Sequence, residues 1–363
     1  MKAINIVLTL ASPLYVAYPE NQDKSANVSR TTKTPLMTNG RMQYLPCYPA
    51  NGFRGGLRRK AMSRLLSHFK SNEGAISGDL YLGLTCGANS GSPDQSPLSI
   101  EEILRARSNV YMGLFGGGAR MHSSMYRVSD MLPILQATVS AGAVPEYCLD
   151  KVQAKPQKDS AIGTEYVQAW EITSSRTSIR LDDLFRVTNP HEILNGIANP
   201  IETVSNHQAA VLANREGRKD GDGKSDVANM MGIETVAAGV PFHFRVDLDN
   251  AADEAKLGMV LLGLSDIFQE NAFGGWTRCG FGKVRVENIR VNFDDIEYKW
   301  DQFYGERGVF ELPADASPFV DAANEAIAGL KIADMAGFFE DFSADAKAKK
   351  KADLKTKKAA VAA

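Results

Sequence analysis

Acidic residues are missing from one long stretch of this chain. Between Lys24 and Lys70 there are ten Lys and Arg and no Asp or Glu, although the 363 residues together carry a formal net charge of −2. Cysteine is scarce. The four, Cys47, Cys86, Cys148 and Cys279, lie far apart and form no CxxC pair. That excludes a zinc ribbon and a disulfide scaffold, and it fits a reducing, cytoplasmic setting. No run approaches the roughly 18 apolar residues of a membrane-spanning helix, so no membrane partner is expected.

Signatures of chemistry are missing too. No GxxxxGK[ST] loop, HExxH or GxSxG occurs. The five histidines, His68, His122, His191, His207 and His243, show no metal-ligand spacing. His122 beside a glycine cluster could serve as a base, although a packing or contact role is the commoner one. The stretch 220–226, DGDGKSD, has Lys224 at a ligand place of a calcium loop and Met231 where the bidentate Glu belongs. The sequence therefore predicts no catalytic residue, no metal and no cofactor.

What is present is a positive surface. An acid-free window in a net-acidic protein is expected to build a local field that attracts a polyanion; a solvated basic face balanced by acids elsewhere in the fold would look the same. Within it, Leu57, Ala61, Met62, Leu65, Leu66 and Phe69 fall on one half of a helix, and Arg59, Lys60, Arg64 and Lys70 on the other. The segment just before, Asn51-Gly52-Phe53-Arg54-Gly55-Gly56, reads as a loop. Glycines and arginines at a helix start suit phosphate, through close backbone approach and unpaired N–H groups. A tight strand-to-helix turn with surface arginines would look the same.

The remaining pattern gives an order of elements. Residues 2–10 alternate Ile4, Ile6, Leu8 and Leu10, which reads as a first strand rather than a signal peptide. A helix is expected over 55–70 and strands over 79–85, 165–173, 241–248 and 281–293, the last bulged near Glu287 and Asn288. Ser99 with Glu102 predicts a capped helix over 100–108, and a further helix is predicted over 252–270. Glycine clusters recur at 113–120 and 271–286. With the insertions removed, the order is βαββαβ. The predicted class is α+β, ferredoxin-like (RRM-like), built from 1–10, 51–85 and 241–300. Insertions would occupy 11–50 and 86–240, a helical extension 301–344, and a Lys-rich, disordered tail 345–363. Such a sheet is a common RNA-binding platform.

Taken together, the first strand, NGFRGGLRR, the central NVYMGLFGGGARMHSSMYRVSD and the late GGWTRCGFGKV resemble the RAMP superfamily of CRISPR proteins, most of all the repeated backbone subunit of type IV effector complexes. The resemblance implies a palm with fingers-like (11–50) and thumb-like (near 186–240) insertions. It implies a non-catalytic subunit that polymerises with copies of itself along a guide RNA (crRNA) into a helical filament. Partners would be a target nucleic acid, by family DNA, the crRNA-processing and end-capping subunits, and a helicase. The RNA-contacting set would be Arg30, Arg41, Asn51, Gly52, Arg54, Gly55, Gly56, Arg58, Arg59, Lys60, Arg64, Gly117, Arg120, Trp276, Arg278 and Lys283. Two alternatives stand beside it. A type III-like backbone subunit would cleave target RNA with an Asp after the first strand, for which Asp23 is the sole counterpart. An enzyme could bind a small phosphorylated ligand through the glycine-rich loops.

Overall fold

The computed structural model describes residues 2–17, 28–38, 40–87, 98–155, 164–179 and 230–339, with a few single positions between 199 and 209. They form two units. The first comprises Met1–Val16, Thr32–Thr173 and Val236–Ala363, and the second Ala17–Thr31 and Ser174–Thr235.

The first unit is built on strand β1 (Lys2–Leu10). Its period-2 pattern puts Ile4, Ile6, Leu8 and Leu10 on one face, each 1 % exposed or less. Burying each such side chain contributes roughly 1.5–3 kcal/mol. The other elements follow in chain order. A hairpin of β2 (Val28–Ser29) is not formed locally; the local hairpin is β3 (Lys33–Thr38) with β4 (Arg41–Pro46). Then come helices α1 (Ala50–Asn72), α2 (Gly78–Cys86), α3 (Ile100–Ser108) and α4 (Val110–Phe115). Short pieces β5 (Tyr126–Val128), β6 (Leu132–Pro133) and α5 (Gln136–Ser140) lead to β7 (Thr173–Ile179) and β8 (Met230–Val236). Strand β9 (Pro241–Leu248), helix α6 (Glu254–Glu270), strands β10 (Val284–Phe293) and β11 (Ile296–Trp300), and helices α7 (Ser317–Ala328) and α8 (Ile332–Ala336) complete the order; β2, β7 and β8 belong to the second unit.

The main sheet runs β11-β10-β1-β9-β5, with β6 also on β9. All its pairings are antiparallel. Ile6 is flanked by Ile289 and Phe244, and Leu8 by Val286 and Phe242. Glu287 is the extra residue of a bulge, since Val7 pairs with Asn288 and Leu8 with Val286. Helices α1 and α6 cover the inner face. Gly263 of α6 lets α1 approach, because a Cβ there would lie 2.9 Å from Leu57 Cδ2. The outer face is not an open platform. Val7 is covered by Ile134, Val139, Val144 and Cys148 of the segment around α5.

Several expectations are overturned. Residues 79–85 are helix, not strand. Ser77 accepts a hydrogen bond from Leu80 N, Gly87 closes the helix in the left-handed region, and Leu80, Gly83 and Leu84 face inward at helical spacing. Beside β9, the strand is β5. Residues 165–173 are turn and bridge, and β7 only begins at Thr173. NGFRGG is not a loop: α1 starts at Ala50, with Pro49 as N-cap. Three glycines inside a helix, Gly52, Gly55 and Gly56, cost about 1 kcal/mol each. Burial of Phe53 against Phe244, ring centroids 4.5 Å apart, offsets that cost.

The expected strands over 2–10, 241–248 and 281–293 form, as does the capping box of Ser99 and Glu102. The class is α+β. The tail 345–363, Asp23, the stretch 220–226, His191 and His207 lie outside the described residues, as does most of the excursion over 186–240.

The second unit holds a three-stranded sheet in the order β2-β8-β7, with β2 parallel to β8. The first unit closes both places where the chain leaves it. Thr32 N donates to Val16 O at 2.8 Å, and Ala237 N to Ile172 O at 2.8 Å.

Candidate nucleic-acid interface

Three glycine-bearing segments far apart in sequence meet around the first turns of α1. On one side, Arg58 donates to the carbonyls of Phe115 and Gly116. Arg54 lies over the Tyr126 ring at 5.5 Å. On the other side, Phe273 sits edge-on to Tyr48, centroids 5.8 Å apart, and stacks with Phe53 at 6.4 Å. The exit of β1 is tied in as well. Gly275 N donates to Tyr15 O at 2.8 Å and Gly282 N to Pro13 O at 2.9 Å.

The expected phosphate-binding backbone is not open. Ala50 N at the head of α1 donates to Asp130 Oδ1 at 2.8 Å, so a carboxylate already holds that end. In the central cluster, Gly116, Gly117, Gly118 and Ala119 donate at 2.8 Å to Met112, His122, Gly87 and Phe338 carbonyls. These glycines serve close packing. A Cβ on Gly117 would lie 2.2 Å from Gly87 O, and one on Gly282 1.8 Å from Phe273 O.

The basic face of α1 is partly spent on its neighbour. Arg64 holds Asp266 through two nitrogens, at 2.7 and 2.6 Å, and Lys60 pairs with Glu270. Arg120 pairs with Glu102 across the capping box. Thus Arg58, Lys60, Arg64 and Arg120 hold other parts of this chain. Gly117 is buried, Gly55 and Gly56 are half-buried in α1, and Asn51 and Gly52 are exposed at its start. Arg59, Arg278 and Lys283 are exposed cations on the meeting segments. Arg41 is exposed at the turn end of the β3–β4 hairpin, and Arg30 belongs to the second unit.

Trp276 has φ of 60°, a rare conformation for a bulky side chain. It stacks on Phe281 with centroids 6.3 Å apart. Strain of this kind concentrates at functional sites. Met121, φ 51° and 53 % exposed, repeats the feature in the central cluster.

Sequence reasoning missed Tyr48, Tyr126 and Phe273. Their signal was an aromatic beside each glycine segment. Burial raises the Tyr48 hydroxyl pKa, while the nearby Arg59 charge works the other way. Burial likewise raises that of Tyr126, against its hydrogen bond and charge contact with Arg54. His122 is pushed down, first by burial, with Glu102 opposing. Burial, with Asp130 adding to it, pushes the Cys47 thiol up to about 12, which leaves it an inert core group.

Among the described residues, no group of three or more His, Cys, Asp or Glu side chains is placed to hold a metal ion. None of their helices is long and apolar enough to cross a membrane. No family model matches the chain, and no curated protein matches it. Solved structures similar to it include a chain of a "Type IV-B CRISPR Complex", 16% identical with a TM-score of 0.42, covering 83% of this chain and 94% of that one. Another is a chain of the "Type III-B Cmr-beta bound to cognate target RNA", 12% identical with a TM-score of 0.36, covering 80% of this chain and 60% of that one.

Proposed function

We propose that this protein is a non-catalytic subunit that binds single-stranded guide RNA along its sugar-phosphate backbone, as the repeated backbone subunit of a CRISPR effector complex does. The observation that carries the reading is that exposed Arg59, Arg278 and Lys283 lie on two segments packed together through Tyr48, Phe53 and Phe273. Exposed cations interleaved with aromatics suit phosphate contact and base stacking. The antiparallel order β10-β1-β9-β5 supports a ferredoxin-like palm, with α1 after β1 and α6 between β9 and β10. Helices α2 to α4 and the segment around α5 are then insertions on that palm. Polymerisation with copies of itself, pairing with a DNA target, contacts with processing and end-capping subunits and with a helicase, and a cytoplasmic location complete the proposal.

The test is titration of labelled single-stranded RNA at several salt concentrations. Binding that tolerates sequence changes and weakens linearly with log salt supports the reading. Absence of binding at low salt overturns it. Incubating RNA-loaded protein with complementary labelled RNA and Mg²⁺ or Mn²⁺ tests the absence of catalysis. Periodic products that vanish in Asp23→Ala would replace it with a target-cleaving subunit.

A further inference from the structure

A cavity of about 420 Å³ opens between α1 and the α6–β10 turn. That volume falls within the range of roughly 300–1,000 Å³ typical of small-ligand sites. Gly52 and Gly56, one turn apart, let Tyr48 and Ile267 pack close against the α1 wall. A Cβ on Gly52 would lie 3.1 Å from the Tyr48 hydroxyl oxygen, and one on Gly56 3.5 Å from Ile267 Cδ1. Tyr48 and Phe273 supply aromatic lining. Arg59, also on the lining, is exposed. The acid on the rim, Glu270, is held by Lys60, so it does not leave an unbalanced negative charge at the mouth.

Aromatic and aliphatic lining from Tyr48, Phe273 and Ile267 fits a planar ring, and an exposed guanidinium at the same opening fits the anion attached to it. We propose that this cavity takes one nucleobase of a bound single strand, with the adjoining phosphate at Arg59. The proposal deepens the RNA-binding reading and rests on it. The shared chemistry is a nucleotide unit, whose source is either a polymer or a free nucleotide.

The experiment uses the full chain with a single-stranded RNA carrying 4-thiouridine, photo-cross-linked and mapped by mass spectrometry. Cross-links on the peptides holding Tyr48 or Phe273 are expected. Ala272, exposed on the cavity lining, offers a filling variant, Ala272→Trp. It should lower RNA affinity about tenfold, as loss of one stacked base does, while the salt slope stays unchanged because Arg59 remains. Circular dichroism and thermal melting check that the variant folds. Cross-links confined to other segments overturn the cavity proposal and leave RNA binding standing, whether or not the variant folds. Failure of the wild-type chain to bind RNA overturns both. Equilibrium dialysis with uridine monophosphate supplies the last arm: binding of the mononucleotide without RNA binding assigns the cavity to a free nucleotide, against the proposal.

Discussion

Arg64 of α1 and Asp266 of α6 form a two-point ion pair, Nε to Oδ2 at 2.7 Å and Nη2 to Oδ1 at 2.6 Å. The pair joins the two helices that cover the sheet. It turns a cation that looks like a ligand contact into a packing device. Fork-to-carboxylate geometry is the stronger kind of ion pair. Both side chains keep some solvent, at 33 % and 23 % exposure, which weakens the attraction. Arg64→Ala should cost about 1 kcal/mol in urea unfolding and leave the salt slope of RNA binding alone. A flattened slope with unchanged stability would reverse the two roles.

Arg59 and Arg278 behave oppositely. Both are exposed, on segments that meet at Phe273. The double change to Ala should reduce the slope of log affinity against log salt by about 1.4, at 0.7 per phosphate contact on single strands. Thermal midpoints should stay within a degree or two of wild type. An unchanged slope in the folded variant would remove these residues from the interface.

Two helical glycines separate cleanly in a stability assay. At Gly55 a Cβ would come 3.1 Å from Arg59 Nη1, the end of a flexible side chain that moves aside. Gly55→Ala should therefore raise stability by about 0.5–1 kcal/mol. At Gly258 a Cβ would come 1.8 Å from Phe319 O, a backbone atom. Gly258→Ala should force α6 and α7 apart and cost about 1–3 kcal/mol or more. Equal midpoints for the two variants would contradict the packing described.

His243 sets a pH dependence. It is 4 % exposed, and its Nε2 lies 3.3 Å from Asn5 Oδ1. Burial, aided by the Arg245 charge, lowers its pKa to about 4. The unfolded chain protonates His near 6.5. In the window between 6.5 and about 4 the unfolded state binds the extra proton, so stability is full above pH 6.5 and falls as pH drops. The loss is on the order of 3 kcal/mol. Urea midpoints across that window should fall for wild type and fall less for His243→Gln. Parallel curves would rule out His243 as the cause.

How much of this was legible depended on whether the pattern was local. The alternation of β1 and β9, the helical stripe of α6 and the skipped residue near Glu287 all read directly, because two or three core neighbours enforce each period. The stretch 79–85 did not. Leu80, Leu82 and Leu84 imitate a strand, but Leu82 is 48 % exposed, and the true markers were Ser77 and Gly87 at the ends. Strand β5 is three residues long, too short for any period to show. The basic window was misleading in another way. Its balancing acids, Asp266 and Glu270, lie some two hundred positions downstream, and only folding brings them to Arg64 and Lys60.

The bonds Thr32 N to Val16 O and Ala237 N to Ile172 O, each 2.8 Å, pinch shut both openings through which the chain departs into the second unit. Each opening is therefore already a closed loop base. The entropic penalty of closing a loop grows only slowly with its length, so very different lengths can hang from the same base. Excising the second unit, or exchanging it for another of unrelated size, by joining 16 to 32 and 173 to 236 through short glycine-serine bridges should therefore leave the first unit folded. The first unit becomes a chassis on which grafted segments are compared at constant sheet, constant cavity and constant helix packing.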